Sequence, residues 1–194
     1  MGRSYHGKNI EIKELDPLIS EIKDKQLQDK VRNFYGDMLQ ESKFENFDDV
    51  PMIHADPQKK NTFLMRHEAT CTRAAYEVAK CVEEAYDLDI HFDLLLAGDL
   101  LHDASKFLEY EKKDGIAGKT QIGKMLTHSL YAAHKAYEEG FPEEIVHLIL
   151  AHTPVYQVQP MTVEAIIAYY TDVLDGELRR NMVGLPVKAK KTVM

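Results

Sequence analysis

Residues 94–106 read LLLAGDLLHDASK, and the fold class turns on how this stretch is read. The apolar run that begins at Phe92 and passes through Leu94-Leu95-Leu96-Ala97 and Leu100-Leu101 to about Leu108 is too long for an ordinary strand. It is the signature of a helix buried on all sides. At its inner end stand His102 and Asp103. An imidazole and a carboxylate emerging together from a buried helix are costly to desolvate unless partnered, and a divalent metal is the strongest partner available.

Working outward, the chain reads as helix after helix. A long helix is predicted from about Thr62 to Ala85, with His67 at its start. Downstream, Glu109 to Lys119 is charged, contains two glycines and reads as an exposed loop. A helix over about Thr120 to Glu139 follows, stopped by Gly140. Pro142, Glu143 and Glu144 open another, because proline suits the first helical position and acids suit the N-terminal dipole. It ends near His152, before Pro154. Thr162 caps a last helix that runs to about Asn181. His128, His152 and Asp172 fall on these three helices in turn. No strand alternation rises above noise and no internal repeat is visible.

Toward the N-terminus, Asp16-Pro17 starts a helix. Apolar residues then recur through Leu18, Ile19, Ile22, Leu27, Val31, Phe34, Met38 and Leu39, predicting one or two amphipathic helices ending near Ser42. Phe44 to Asn61, with Pro51 and Pro57, reads as a loop. The expected division is an N-terminal helical extension over 1–61, an all-α helical-bundle domain over 62–182, and a basic tail over 183–194. The N-terminal helices could cover the domain or form a homodimer interface.

Composition narrows the function classes. The chain has 194 residues, 24 basic and 32 acidic side chains, and a net charge of −8. That balance argues against a nucleic-acid polymer as partner, which needs a basic stripe. It is compatible with a small anionic substrate, because a metal and a few local cations can reverse the field inside a pocket. Cys71 and Cys81 lie ten positions apart in one predicted helix, about 15 Å along its axis, and read as reduced thiols. No apolar leader and no membrane-length run is present, so the expectation is a cytoplasmic protein without a membrane partner. Gly115 to Thr120 is not a phosphate-binding P-loop: Lys113 stands where the first glycine is needed.

The ordered set His67, then Leu100-Leu101-His102-Asp103-Ala104-Ser105-Lys106, then His128-Ser129, then Ala151-His152-Thr153, then Asp172 resembles the H…HD…H…H…D pattern of the HD-domain superfamily. The resemblance covers about residues 62–180. It implies a metal-dependent phosphohydrolase in which His67, His102, Asp103 and Asp172 are the shared ligands. His128 and His152 match the additional histidines of the binuclear branch, where Asp103 would bridge two divalent ions (Mn, Fe, Co, Zn or Mg) holding a hydroxide nucleophile. Lys106 resembles the lysine of HD-x-x-K members, which approaches the substrate anion. The nucleotidase branch has a glutamate there, and this chain departs from it. Arg66 and Arg179 are further candidates for binding a phosphorylated substrate, and Asp99 for orienting a ligand histidine.

His134 lies six residues after His128, too far around the helix to share its site. His134 and His147 are therefore expected at the surface, His54 and His91 in loops or at helix starts, and His6 in the leading segment. Two rival functions use the same ligands. One is a mixed-valent di-iron oxygenase resembling inositol oxygenase or the phosphonate-cleaving oxygenase. The other is a non-catalytic metal-binding or nucleotide-sensing module, which a complete ligand set weighs against.

Overall fold

The computed structural model describes residues 10–52, 63–113, 116–153, 158–182 and 184–186. Chain order is α1 (Asp16–Ile19), α2 (Lys25–Glu41), a 3-10 turn (Phe47–Asp49), α3 (Leu64–Tyr86), α4 (Phe92–Leu101), α5 (Lys106–Glu109), strands β1 (Tyr110–Lys113) and β2 (Ile116–Lys119), α6 (Gln121–Met125), α7 (His128–Glu138), α8 (Glu143–Ala151) and α9 (Val163–Met182). The fold is a helical bundle with one two-stranded hairpin.

α4 is the axis of the bundle. Seven of its ten residues, Leu95 to Leu101, are buried, and α2, α3, α8 and α9 all pack on it. α8 comes close because Gly98 has no side chain: a Cβ there would lie 2.8 Å from Leu148 Cδ1.

The N-terminal helices are integral to this packing. Leu15, Ile19, Val31, Phe34, Tyr35 and Met38 share one core with Leu96, Leu100, Leu101, Phe107, Ile145 and Ile149. Each fully buried apolar side chain of this kind contributes on the order of 1.5–3 kcal/mol. Asp24 caps α2 by accepting from the Gln26 and Leu27 amides at 2.8 and 3.3 Å. Asp93, in the first turn of α4, accepts from the Lys23 and Asp24 amides at 2.8 and 2.9 Å. The apolar stripe of α1 and α2 is thus spent on covering the bundle.

Three segments differ from the sequence expectation. The buried helix stops at Leu101, and His102 to Ser105 form a turn before α5, with the Lys106 amide donating to the Asp103 carbonyl at 2.9 Å. The stretch expected as an exposed loop is an antiparallel hairpin, Tyr110 opposite Lys119 and Glu111 opposite Gly118. Its root is buried at Glu109 and Tyr110. Two four-residue strands of mostly polar residues carry no alternation long enough to be seen. Finally, the helix expected over 120–139 is two. Thr120 caps α6 through the Gly123 amide at 3.0 Å. Leu126 and Thr127 are extended, and α7 restarts at His128. The last helix begins as expected, with Thr162 Oγ1 accepting from the Ala165 amide at 3.1 Å. Among the described residues, no helix is long and apolar enough to cross a membrane.

Candidate metal centre

Two of the histidines owe their position to helix ends. A helix leaves its last carbonyls without intrahelical donors. His102 follows α4 and its Nδ1 donates to the Asp99 carbonyl at 2.6 Å. His152 follows α8 and its Nδ1 donates to the Ile149 carbonyl at 2.6 Å. A carbonyl can only accept, so each Nδ1 carries the proton and each Nε2 presents a lone pair. The orienting group of His102 is thus the main-chain oxygen of Asp99; the Asp99 carboxylate lies 3.9 Å away.

The other two histidines are oriented by carboxylates from separate elements. His67, in the first turn of α3, donates from Nδ1 to Asp175 Oδ2 on α9 at 2.6 Å. Asp175 in turn holds the Arg179 guanidinium. His128, which opens α7, sets Nδ1 3.1 Å from Glu109 Oε2 at the root of the hairpin. Glu109 Oε1 is 2.7 Å from Lys119 Nζ on β2. Ser105 Oγ donates to the His128 carbonyl at 2.5 Å, fixing the start of α7 to the turn that carries Asp103.

Every Nε2 therefore faces one point, and Asp103 sits there. Its Oδ2 lies 3.2 Å from His67 Nε2 and 3.7 Å from His102 Nε2. Its Oδ1 lies 3.1 Å from His128 Nε2 and 3.6 Å from His152 Nε2. Asp172 Oδ1 joins the first pair, 3.3 Å from His67 Nε2 and 3.8 Å from His102 Nε2. All six residues expected as ligands are brought together, and ligand atoms within each of the groups His67–His102–Asp103, His102–His152–Asp172 and Asp103–His128–His152 lie within 4.8 Å of one another.

The arrangement fits divalent cations. His67 Nε2 and His102 Nε2 are 3.3 Å apart, and with both protons committed to Nδ1 two lone pairs confront each other. Asp103 Oδ1 is buried and accepts no hydrogen bond. A cation beside His67 and His102 would relieve the first defect, and one beside His128 and His152 the second. Nitrogen and oxygen donors in this mixture suit borderline divalent metals.

The electrostatics divide the histidines: burial disfavours charge on His67 and His152, yet Cys71 beside His67 and the carboxylates of Asp103 and Asp172 raise both imidazoles above the ordinary value. Burial pushes the His102 imidazole down to about 3, which keeps it neutral and able to bind metal. Burial opposes charge on Asp103, yet Lys106 and the surrounding histidines hold its carboxyl well below the usual range. Asp172 is likewise held down at about 2, against burial, by His67 and His102. Behind His102, Glu68 Oε2 lies 3.2 Å from Nδ1, and burial, reinforced by Asp103, raises the Glu68 carboxyl well above its normal value. Burial also pushes Asp99 up to about 7.

The expected cations are placed differently from one another. Lys106 is buried and bonded to Asp103. That contact holds its ammonium form despite a burial that alone would favour the neutral amine. Arg179 is also buried but engages Asp175, behind His67. Arg66 is not brought to the centre: one residue past Met65 and one before His67, it points to the other side of α3. There it is exposed and lines a groove with Glu14, Pro17 and Arg73. His134 is exposed and pairs with Glu138 at 3.4 Å, and His147 accepts from the Met161 amide at 2.9 Å. His91 immediately precedes α4. His6 and His54 lie outside the described residues. Asp175, Glu109 and Glu68 are the residues the sequence did not single out. Asp175 carried one signal, its position three residues after Asp172 and four before Arg179; Glu109 and Glu68 carried none.

Comparison with known proteins places this geometry. The HD domain family matches residues 72–177, over half the chain, a span containing His102, Asp103, His128, His152 and Asp172. The chain is 30% identical over 117 residues to the dihydroneopterin 2',3'-cyclic phosphate phosphodiesterase of Methanocaldococcus jannaschii, a match that covers 59% of this chain and 47% of that protein. The chain thus spans about half the length of this curated relative. No solved structure matches it. With an HD turn at the end of its central helix, histidines converging on it from α3, α7 and α8, and an aspartate from α9, the chain belongs to the HD domain family.

Proposed function

We propose that this protein is a metal-dependent phosphohydrolase that cleaves a small phosphate ester. A compact phosphodiester, of the cyclic class named for its relative, is the first substrate to test. The observation that carries this reading is the division of Asp103: one carboxylate oxygen faces His67 and His102, the other His128 and His152. His67, His102, Asp103 and Asp172 would hold one divalent ion, and Asp103, His128 and His152 a second. Such ions, when bound, lower the pKa of water and neutralise charge on attacking and leaving oxygens.

The chain's own groups do the rest. Asp175 and Glu109 keep His67 and His128 in the tautomer that presents Nε2. Lys106 supplies a fixed positive charge beside the bridging carboxylate, placed to contact a phosphoryl oxygen. Arg179 acts through Asp175 rather than on substrate. Hydrolysis forms one P–O bond to the water oxygen and breaks one ester P–O bond, and the water's proton ends on the leaving oxygen. Residues 62–182 are read as the domain that does this and 1–61 as an N-terminal helical extension, whose helices α1 and α2 pack on it. Mn, Fe, Co, Zn and Mg are the candidate metals. A cytoplasmic location accords with the free thiols of Cys71 and Cys81.

The test is elemental analysis of the purified protein, paired with a panel of cyclic phosphodiesters and phosphomonoesters under each metal. Two ions per chain and metal-dependent product release are expected. Two irons with oxygen uptake and no phosphate chemistry would overturn the proposal in favour of an oxygenase.

A further inference from the structure

Where α3 packs on α9, two residues one turn apart on each helix come together. On α3 they are His67 and Cys71, and on α9 they are Thr171 and Asp175. Cys71 Sγ lies 3.4 Å from His67 Nδ1 and 4.0 Å from the Thr171 carbonyl oxygen. Asp175 Oδ2 lies 2.6 Å from the same Nδ1. All four residues are buried. Ligand atoms of His67, Cys71 and Asp175 lie within 4.8 Å of one another. This group gathers at the ring nitrogen of His67 that points away from Asp103, and the hydrolytic reading gives its thiol no task.

We propose that Cys71, His67 Nδ1 and Asp175 form a further cation site, selective for a thiophilic divalent ion such as zinc or cadmium. The donor set separates it from the centre around Asp103. There the donors are nitrogen and oxygen alone, whereas a thiolate selects soft and borderline ions over magnesium or manganese. The spacing fits one ion. Nitrogen and sulfur bound tetrahedrally to zinc at about 2.0 and 2.3 Å stand roughly 3.5 Å apart, close to the 3.4 Å between Nδ1 and Sγ. The Asp175 carboxylate is the third donor, and the Thr171 carbonyl is the oxygen nearest to completing four. Charge also balances. Asp175 is paired with the Arg179 guanidinium, so the cluster of thiol, imidazole, carboxylate and guanidinium sums to zero. A divalent ion enters in exchange for two protons, one from Sγ and one from Nδ1, both released to solvent. The sum stays at zero, so burial adds no penalty for a new net charge. A thiol that only fills the core would give up its proton to no ion, and that difference is measurable. Loading the site takes Nδ1 and Asp175 out of the hydrogen bond that aims His67, which makes the inner part of the centre responsive to a thiophilic ion.

The test uses the full chain carrying Cys81→Ser, which leaves Cys71 as its sole thiol. Cadmium(II) is titrated into it and followed by ultraviolet difference absorption, because a thiolate bound to cadmium gives a sulfur-to-metal charge-transfer band that nitrogen and oxygen ligands do not. The band is expected to appear and saturate with cadmium or zinc-competed cadmium, and to be absent with magnesium(II). Cys71→Ser added to the same background is expected to lose the band and, by elemental analysis, to hold one cadmium fewer per chain. Absence of the band in the Cys81→Ser protein, or its persistence after Cys71→Ser, overturns the proposal. If the doubly substituted chain does not fold, cadmium NMR of the Cys81→Ser protein decides: a resonance shifted by one sulfur ligand is expected, and resonances from nitrogen and oxygen environments alone count against the site. Neither readout depends on turnover, so a chain that shows the band yet hydrolyses no phosphate ester would keep this site while refuting the phosphohydrolase reading.

Discussion

The two halves of the centre are built to one plan with different finish. Each pairs a histidine held by a helix-end carbonyl with a histidine held by a carboxylate, and each carboxylate is itself backed by a cation. On the inner side these are His102, and His67 with Asp175 and Arg179. On the outer side they are His152, and His128 with Glu109 and Lys119. The inner half adds Asp172 and draws its orienting carboxylate from a 20-residue helix. The outer half takes its orienting carboxylate from the end of the short helix α5, where the hairpin begins, and presents Asp103, His128 and His152 as its candidate ligands; His128 and Asp172 are equally exposed, each at 18%. Four protein ligands close a site, whereas three leave a position for water or substrate. On the proposed reading, the inner half would hold the more permanent ion and the outer half the one open to exchange and to chemistry.

The strongest way to break this comparison is to remove what the halves share. Asp103→Ala is expected to abolish binding of both ions and to lower kcat by about 1,000-fold or more, some 4 kcal/mol of transition-state stabilisation; full turnover with two ions still bound would refute the shared role. Next in size is a divided pair. His128→Ala should retain one ion per chain and His67→Ala none, measured by elemental analysis after gel filtration. Equal loss in both variants would erase the distinction between halves.

Smaller effects sharpen it. Asp175→Asn and Glu109→Gln should each weaken one ion by roughly 10–100-fold in calorimetric titration, the inner ion in the first case and the outer in the second. Finer still is Gly123→Ala. Its Cβ would lie 2.2 Å from the Glu109 carbonyl, so the backbone at the hairpin root must move. A stability loss of about 1–3 kcal/mol is expected, with weakened outer-ion binding only. Gly98→Ala, whose nearest neighbours would be side-chain atoms of Leu148 rather than backbone, should lose less and leave both ions in place.

The all-helical class and the order of the long helices were legible because each rests on a local signal, whereas the six residues that converge were named through their resemblance to the HD pattern. The run before His102 has a length only a buried helix accommodates, and Pro17, Pro142 and Thr162 mark helix starts through their own chemistry. The hairpin was not legible. Its strands are four residues each, and what holds them is Glu109, buried against Lys119 and His128 from sequence positions 10 and 19 away. Arg179 shows the same limit from the other side. Its spacing from Asp172 placed it on the correct face of α9, but Asp175, one turn nearer, takes its guanidinium before any ligand could.

Sequence by itself thus determined where most of the long helices form, because periodicity and capping are properties of neighbouring residues, and its resemblance to the HD pattern named the candidate ligands. Tertiary structure alone decided that Asp103 divides its two oxygens between two pairs of imidazoles. It also decided that two of those imidazoles are aimed by carbonyls and two by carboxylates. Those choices depend on where α3, α4, α7, α8 and α9 meet, and that meeting is set by the close packing of side chains far apart in the chain.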